Sequence, residues 1–370
     1  MAIEQVDIEK FLKLSEQFPV FDVRSPGEFS HAHIPGALPL PLFTDDQRSI
    51  IGTIYKKESR QLAVDKGLEF FSVRMKTVKQ EVEDLIKESQ KSKEGEKHNQ
   101  VLLHCWRGGM RSGAVAWLLN LYGFKVYTLK GGYKSFRNWA LAQFEKEYKI
   151  NILGGFTGSG KTEVLHEMKK RGFNTIDLEF LANHKGSAFG SLGEKPQPGQ
   201  EMFENLLAVN LHQSQRGSKS SDTDESDDNI SPQEIWLEDE SRHIGSVGIP
   251  KTFWEQMRKS QLYFLEIRFE ERLKHIVTIY GAFKKQDLET AIMRVQKRLG
   301  GLETKNAINY LLENDTKECF SILLHYYDKL YKNSLEKRES LDTVLNKIPC
   351  DKVDKNNLIF FTESKPAGIN

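Results

Sequence analysis

VLLHCWRGGMRSGAVAWLLNLYG, residues 101–123, decides how the first part of this chain folds. VLLHC (101–105) is short, apolar and rich in β-formers, which predicts a buried strand. SGAVAWLLNLYG (112–123) carries apolar residues at helical spacing and stops on glycine, which predicts an amphipathic helix. HCWRGGMRS joins the two. A loop in that position points backbone N–H groups at a helix N-terminus, where partial positive charge collects and anions bind. Gly108 and Gly109 let the backbone curl so that several amides face inward. The same field, with Arg107 and Arg111, favours the thiolate of Cys105. Cys105, Arg107 and Arg111 are therefore the candidate catalytic residues, a nucleophile and an anion cradle in one turn. A structural cysteine buried at a strand end is the plainer alternative, but it needs neither the glycines nor the arginines.

The flanks extend this unit. FKVYTLKGGY (124–133) reads as strand then turn, which completes strand–loop–helix–strand, an α/β pattern. Upstream, FPVFDVR (18–24) is a short strand ended by a turn and a helix start at SPGEF. HIPGALPL (33–40) is a Pro/Gly-punctuated loop leading into an extended segment. Residues 60–98 are polar and helical, and KESQKSKEGEKHNQ (87–100) reads as a solvated surface loop.

A second unit begins near residue 147. YKINILGG (148–155) is a strand, FTGSGK a glycine loop and TEVLHEMKKRG (162–172) a helix. Gly155 to Thr162 spells G-x-x-x-x-G-K-T, the Walker A phosphate loop, in the strand–loop–helix context that the chemistry requires. Gly155, Gly158, Ser159, Gly160, Lys161 and Thr162 are the candidate phosphate-binding residues, with Lys161 neutralising charge and Thr162 placed for Mg²⁺. IWLEDE (235–240), an apolar strand running into acids, offers Glu238 and Asp239 as partners of Thr162 for Mg²⁺. An ordinary strand with an exposed acidic end is the alternative there. No N-K-x-D guanine motif follows, so the loop specifies a phosphate chain, which a nucleotide or another diphosphate would supply. FNTIDLEFLA (173–182) reads as strand and turn, and SQRGSKSSDTDESDDNISP (214–232) as a floppy acidic insertion. From 251 onward the chain is mostly helical, with one more strand at LYFLEIRF (262–269).

The bulk numbers bound the classes. A chain of 370 residues with 38% apolar and 28% charged residues predicts a globular protein of two or three domains. A net charge of +1 leaves any nucleic-acid surface to a local patch. The N-terminus MAIEQVDIEKFLKL has acids where a signal peptide has bases, and no apolar run reaches membrane-span length. Three distant cysteines form neither a disulfide framework nor a metal pattern, so a cytoplasmic protein is expected. Residues 251–300 hold eleven Lys and Arg against six Asp and Glu. Arg294, Lys297 and Arg298 lie off the apolar stripe of one helix there and are candidates for RNA backbone contact, against the alternative of a merely solvated face. Tyr326, Tyr327 and Tyr331 offer rings for stacking on bases or, more commonly, for core packing.

FDVRSPGEFSHAHIPGALPLPL (21–42) resembles the N-terminal rhodanese signature, and GFKVYTLKGGYKSFRNW (123–139) the C-terminal one. The Cys105–Arg111 loop is one residue longer than the usual rhodanese Cys-x4-Arg and fits the His-Cys-x5-Arg of tyrosine phosphatases. Rhodanese and P-loop blocks on one chain resemble the tRNA 2-selenouridine synthase family nearly end to end. GTIYKK (52–57), LANHKGSAFG (181–190), QEMFEN (200–205), WLEDESRHIG (236–245) and LLHYYDKLY (323–331) share in that likeness.

The resemblance implies an α/β chain with a rhodanese-like domain over 1–145 and a P-loop domain with a helical, tRNA-contacting extension over 146–370. It implies a tRNA substrate with 2-thiouridine at the wobble position. That sulfur is alkylated by geranyl diphosphate, and selenium from selenophosphate then replaces geranylthiol. In this picture the P-loop holds the diphosphate and Cys105 attacks the selenium, with a selenophosphate-supplying enzyme as a partner. An ATP-dependent sulfurtransferase or kinase, a non-catalytic tRNA-binding protein and a Cys-dependent phosphatase are the rival readings.

Overall fold

The computed structural model describes residues 3–89, 99–216, 233–358 and 361. It divides into two units at Gln143/Phe144. In the first unit the elements run β1 Ile3–Val6, α1 Ile8–Ser15, β2 Val20–Asp22, α2 Pro26–His31, β3 Leu38–Pro39, α3 Asp45–Lys57, α4 Arg60–Ser89, β4 Gln100–His104, α5 Met110–Leu121, β5 Lys125–Leu129 and α6 Gly132–Gln143. The five strands form one parallel sheet in the order β1-β5-β4-β2-β3. β4, which delivers Cys105, is central and pairs with β5 on one side and β2 on the other. Its centre, residues 101–103, is an apolar run buried on both faces, as expected of a parallel strand.

Local signals set the helix starts. Asp7 caps α1 by accepting the Lys10 N–H at 2.9 Å, and Thr44 caps α3 by accepting the Gln47 N–H at 3.2 Å. Pro26 opens α2, where its missing N–H costs nothing. Helix α5 begins at Met110, two residues earlier than its apolar spacing predicts, because Gly109 is already its N-cap. Of the loop expected over 87–100, residues 87–89 continue α4 and Gln100 opens β4; residues 90–98 lie outside the described residues.

Beneath the Cys105 loop lies a buried ion pair. Arg24 clamps Asp22 through Nε at 2.9 Å and Nη2 at 2.6 Å, and Nη2 also donates to the Ala32 carbonyl at 2.7 Å. The guanidinium lies over the Tyr133 ring, 3.9 Å from its centroid. The D-x-R of the sequence is thus a structural clamp that fixes the end of β2 against the start of α6.

The second unit runs β6 Ile150–Gly155, α7 Lys161–Lys170, β7 Thr175–Ile176, α8 Leu178–Ala182, α9 Gln200–Arg216, β8 Ile235–Glu238, β9 His243–Ile244, β10 Val247–Gly248, α10 Lys251–Lys259, β11 Gln261–Ile267, α11 Phe269–Tyr280, α12 Lys285–Leu299, α13 Gly301–Leu312, α14 Thr316–Glu336, α15 Leu341–Val344 and β12 Leu345–Cys350. Its parallel sheet has the order β12-β11-β6-β8-β7, with the P-loop strand β6 in the middle and every residue of it buried. β9 and β10 form a separate antiparallel hairpin. Helices α11 to α14 enclose a second apolar core around Leu288, Ile292, Phe320 and Leu324.

Two expectations change here. The turn expected after Ile176 is the short helix α8, capped by Asp177, which accepts the Phe180 N–H at 2.8 Å. Residues 214–216, expected in a floppy insertion, end α9 with Ser214 buried. The rest of that segment, 217–232, lies outside the described residues. No described helix is long and apolar enough to cross a membrane.

Removing one partner of a buried ion pair strands the other charge and costs about 3–5 kcal/mol. Arg24→Ala is therefore expected to lower the stability of the first unit by that order, read as the shift of its denaturant midpoint. A variant within about 1 kcal/mol of the parent would mean that the clamp is not the support described.

Candidate active sites

Cys105 sits at the C-terminal end of β4 with its side chain almost fully buried. The loop after it is stapled to the start of α6. The Tyr133 N–H donates to the Cys105 carbonyl at 2.8 Å and the Lys134 N–H to the Trp106 carbonyl at 3.0 Å. The approach is so close that Gly132, at φ +59°, has no room for a Cβ, which would collide with the Cys105 carbonyl. Gly108, at φ +64°, meets the Leu129 carbonyl in the same way. The two Gly-Gly pairs of the sequence are thus the two halves of one tight junction.

Burial pushes the Cys105 thiol up, but hydrogen bonds outweigh it and the net shift is downward. The Ser112 hydroxyl at 3.3 Å and the backbone N–H groups of Ser112 and Gly109 favour the thiolate, and the charge of Arg111 adds to them. Cys319 and Cys350 differ: burial, with the Asp315 and Asp351 charges adding to it, raises them to about 12 and about 11. His104, next to Cys105, is pushed down to about 4 by burial, so its ring is neutral at pH 7. The arginines have different situations. Arg111 donates to Glu28 at 2.7 Å, while Arg107 is exposed at the loop surface. Glu28 also accepts the Ser25 N–H at 3.1 Å and lies 3.7 Å from Arg48. Sequence reading quoted Glu28 but gave it no role.

In the second unit the P-loop leaves β6 and enters α7. Gly155, Gly158 and Gly160 have φ of +154°, +82° and +72°. At Gly158 the limit is space as well as angle, since a Cβ would stand 2.7 Å from Ile276 Cγ1. Arg272 holds the loop from beneath: it donates to the Thr157 carbonyl at 3.1 Å and makes a two-pronged pair with Asp328 at 2.8 and 2.7 Å. Lys161 Nζ donates to the Gly155 carbonyl at 3.0 Å, folded over the loop. Ser159 is buried, its hydroxyl without a hydrogen-bond partner among the described residues.

Thr162 Oγ1 lies 3.2 Å from Glu238 Oε2 and 3.2 Å from Glu179 Oε2. Glu179, Glu238 and Glu240 offer carboxylate oxygens within 4.8 Å of one another. Burial, then the Lys161 charge opposing it and the Asp177 charge adding to it, leaves Glu179 at about 7. Burial and neighbouring carboxylates hold Glu238 and Glu240 well above the usual range. Asp239 does not join them. It accepts the Tyr331 hydroxyl at 2.6 Å and lies 3.4 Å from Arg338. Of the expected pair, Glu238 stands in this cluster and Asp239 does not, while Glu240 does. Consecutive residues of an extended chain point to opposite faces, so an acid two positions on shares the face of Glu238. Glu179 comes from α8, and only the tertiary fold brings it in.

On α12, Leu288, Ile292 and Val295 are buried and Lys297 and Arg298 exposed, as the helical stripe predicts. Arg294 turns back to donate to Ser191 Oγ at 3.2 Å. Tyr331 and Tyr327 are structural: Tyr331 bridges Asp239 and the Gly155 N–H, and Tyr327 accepts the Ala188 N–H at 3.1 Å. Tyr326 stands edge-on against Tyr327.

A family model described as the tRNA 2-selenouridine synthase AAA domain matches residues 148–347, and a rhodanese-like domain model matches 7–138. The chain belongs to the tRNA 2-selenouridine synthase family. It is 32% identical to the tRNA 2-selenouridine synthase of Sulfurovum sp. (strain NBC37-1) over 87% of this chain and 90% of that one. The synthase of Shewanella frigidimarina is 32% identical over 88% and 91% of the two chains. That of Nitrosomonas europaea is 34% identical over 86% and 90%. Membership accounts for a rhodanese unit and a P-loop unit on one chain.

Two measurements check the electrostatics. Thiolate absorbance, taken as the difference between the parent and Cys105→Ser, should titrate below the ordinary 9.0. Ser112→Ala should move that midpoint up, and an unmoved midpoint would remove Ser112 from the thiolate's support. Glu179 binds its proton more tightly folded than unfolded. Its contribution to stability is therefore fully present below 4.5 and lost as pH rises to about 7. In buffer stripped of divalent ions, the parent should lose stability over that window relative to Glu179→Gln; parallel pH profiles would contradict the assignment.

Proposed function

We propose that this protein converts 2-thiouridine at the tRNA wobble position to 2-selenouridine, by S-geranylation and then selenium exchange. The observation that carries this reading is family membership across both units, with an activated Cys105 cradle and a complete phosphate loop retained. In the first step the sulfur attacks C1 of geranyl diphosphate. The carbon–oxygen bond breaks, the sulfur–carbon bond forms and the uridine N3 proton leaves. The P-loop amides and Lys161 take up the charge developing on diphosphate. Thr162, Glu179, Glu238 and Glu240 form an all-oxygen donor set suited to Mg²⁺, and the buried Glu238 Oε1, without a hydrogen-bond partner among the described residues, fits it. Bound there, the ion would add positive charge to the diphosphate and deprotonate the carboxyls.

Alkylation turns the sulfur into a leaving group for the second step. Selenium in selenophosphate is already at the selenide level. Thiolate attack on that selenium would expel phosphorus two electrons richer, as phosphite. The balanced attack is on phosphorus, which relocates the role first read for Cys105. The Sγ–P bond forms and the P–Se bond breaks, and hydrogen selenide is released. Selenide then displaces geranylthiolate at C2 and its proton passes to N3. Geranylthiolate takes a proton from water, and water cleaves the phosphocysteine to phosphate. Loop amides and Arg107 hold the phosphoryl oxygens, and Arg111 keeps positive charge beside the sulfur. Lys297 and Arg298 on α12 supply contacts to the RNA backbone.

Nucleoside mass analysis of thiolated tRNA tests the scheme. Geranyl diphosphate with Mg²⁺ should yield geranylthiouridine, and selenophosphate added to it should yield selenouridine. Lys161→Ala should slow the first step by roughly 100-fold. Cys105→Ala should spare the first step and stop the second on pre-geranylated tRNA. If the nucleoside is unchanged in every sample while RNA stimulates ATP turnover, the ATP-dependent reading replaces this one.

A further inference from the structure

The GTIYKK block (52–57) has no part in either site, yet it lines a cavity of about 570 Å³ in the first unit. That volume lies within the ~300–1,000 Å³ of small-ligand sites. The cavity is walled by α3, by the first turns of α4 and by the start of α5. Its interior is apolar: Ile51, Val64 and Phe71 face it, and Leu68 is 57% exposed at its wall. Met110, 58% exposed, lines it from the Cys105 loop. An apolar hollow open to water on a folded chain marks a binding site more often than a packing fault.

Its position narrows the occupant. Arg111 lines the cavity and also acts on the Cys105 thiol, so the hollow is continuous with the nucleophile's loop. Arg48 and Lys56 line it too, and Arg48 and Arg111 both approach Glu28. The site thus joins an apolar interior to a cationic edge at the Cys105 loop. That combination suits a flexible hydrocarbon chain attached to a polar, phosphate-bearing body and fits a sugar or a planar base poorly.

We infer that this cavity receives the ten-carbon prenyl chain of the S-geranylated nucleoside, so that the carbon–sulfur bond to be broken lies at the Cys105 loop. The inference rests on the proposed two-step function. It gives the geranyl group a second purpose: besides activating the sulfur, the chain anchors the modified base where selenium is released. The same hydrocarbon is found on geranyl diphosphate, and the experiment separates the two sources.

The test is equilibrium binding to the full chain, with S-geranyl-2-thiouridine and S-methyl-2-thiouridine nucleosides as probes. Each buried methylene raises affinity about fourfold, so a parent preference for the geranyl probe of roughly 30-fold or more is expected. Leu68→Asp puts a charge into the wall at an exposed position, and Val64→Trp fills the cavity without charge. Each should reduce the preference to less than about threefold, with unchanged thermal unfolding showing that the fold is intact. Lys161→Ala should leave it. A preference that survives both Leu68→Asp and Val64→Trp, or no preference in the parent, overturns the inference.

Direct binding of geranyl diphosphate to the same variants identifies the source of the chain. Donor binding lost in Leu68→Asp but kept in Lys161→Ala would mean that the free donor occupies the cavity, against the assignment to the nucleoside. Failure of the proposed function is read separately: absence of geranylation and selenation by the parent would remove that reading, while the binding preference would still decide the cavity.

Discussion

A parallel strand with its backbone bonded on both sides must release the chain at its C-terminal end, and the helix that follows begins with N–H groups that have no partner. Both candidate sites are built on that one constraint. β4 runs into α5 through the Cys105 loop, and β6 runs into α7 through the phosphate loop. In each unit the delivering strand lies inside its sheet, flanked by strands on both sides. The unpaired amides therefore stand on a rigid base, and positive potential is available without any side-chain charge. The chemistry then diverges through what each loop adds: a thiol in the first, a lysine and a threonine in the second.

The supports beneath the loops differ as well. Under Cys105 the neighbours are an Asp22–Arg24 pair, a tyrosine ring and two glycines pressed against each other. Beneath the phosphate loop, Arg272 spans from the Thr157 carbonyl to Asp328 on α14. Each arrangement puts an arginine where no substrate reaches it, paired and hydrogen-bonded, so that the backbone above it is held in one shape. An arginine in a site sequence is accordingly ambiguous. Arg107 is at the surface of its cradle, Arg111 is half engaged by Glu28, and Arg24 is wholly structural.

The acidic cluster of the second unit shows how burial turns a repulsive arrangement into a poised one. Three carboxyl groups whose oxygens lie within 4.8 Å of one another cannot all be ionised in a low-dielectric site. Burial and repulsion favour their protonated forms, with Glu179 pushed up to about 7, and in the proposed reading a divalent ion would exchange for those protons. The wall of α3 and α4 in the first unit is the complementary case, where apolar side chains stay open to water at the Cys105 loop. Such exposure is unfavourable for the fold alone and has a use when a hydrocarbon chain has to be held.

The sequence by itself determined the two α/β units, the strand–loop–helix setting of Cys105 and Lys161, and the buried face of α12. Each of these rests on a local period or a glycine requirement that is written within a few residues. The single-residue shift from Asp239 to Glu240 was also legible, through the period of two that an extended chain imposes on its side chains. Only the tertiary structure decided that Glu179 joins Glu238, that Glu28 engages Arg111, that Tyr331 serves Asp239, and that GTIYKK lines a hollow at the Cys105 loop. Those contacts bring together segments far apart in sequence, and no local pattern records which side chains meet once the sheets and helices have closed around them.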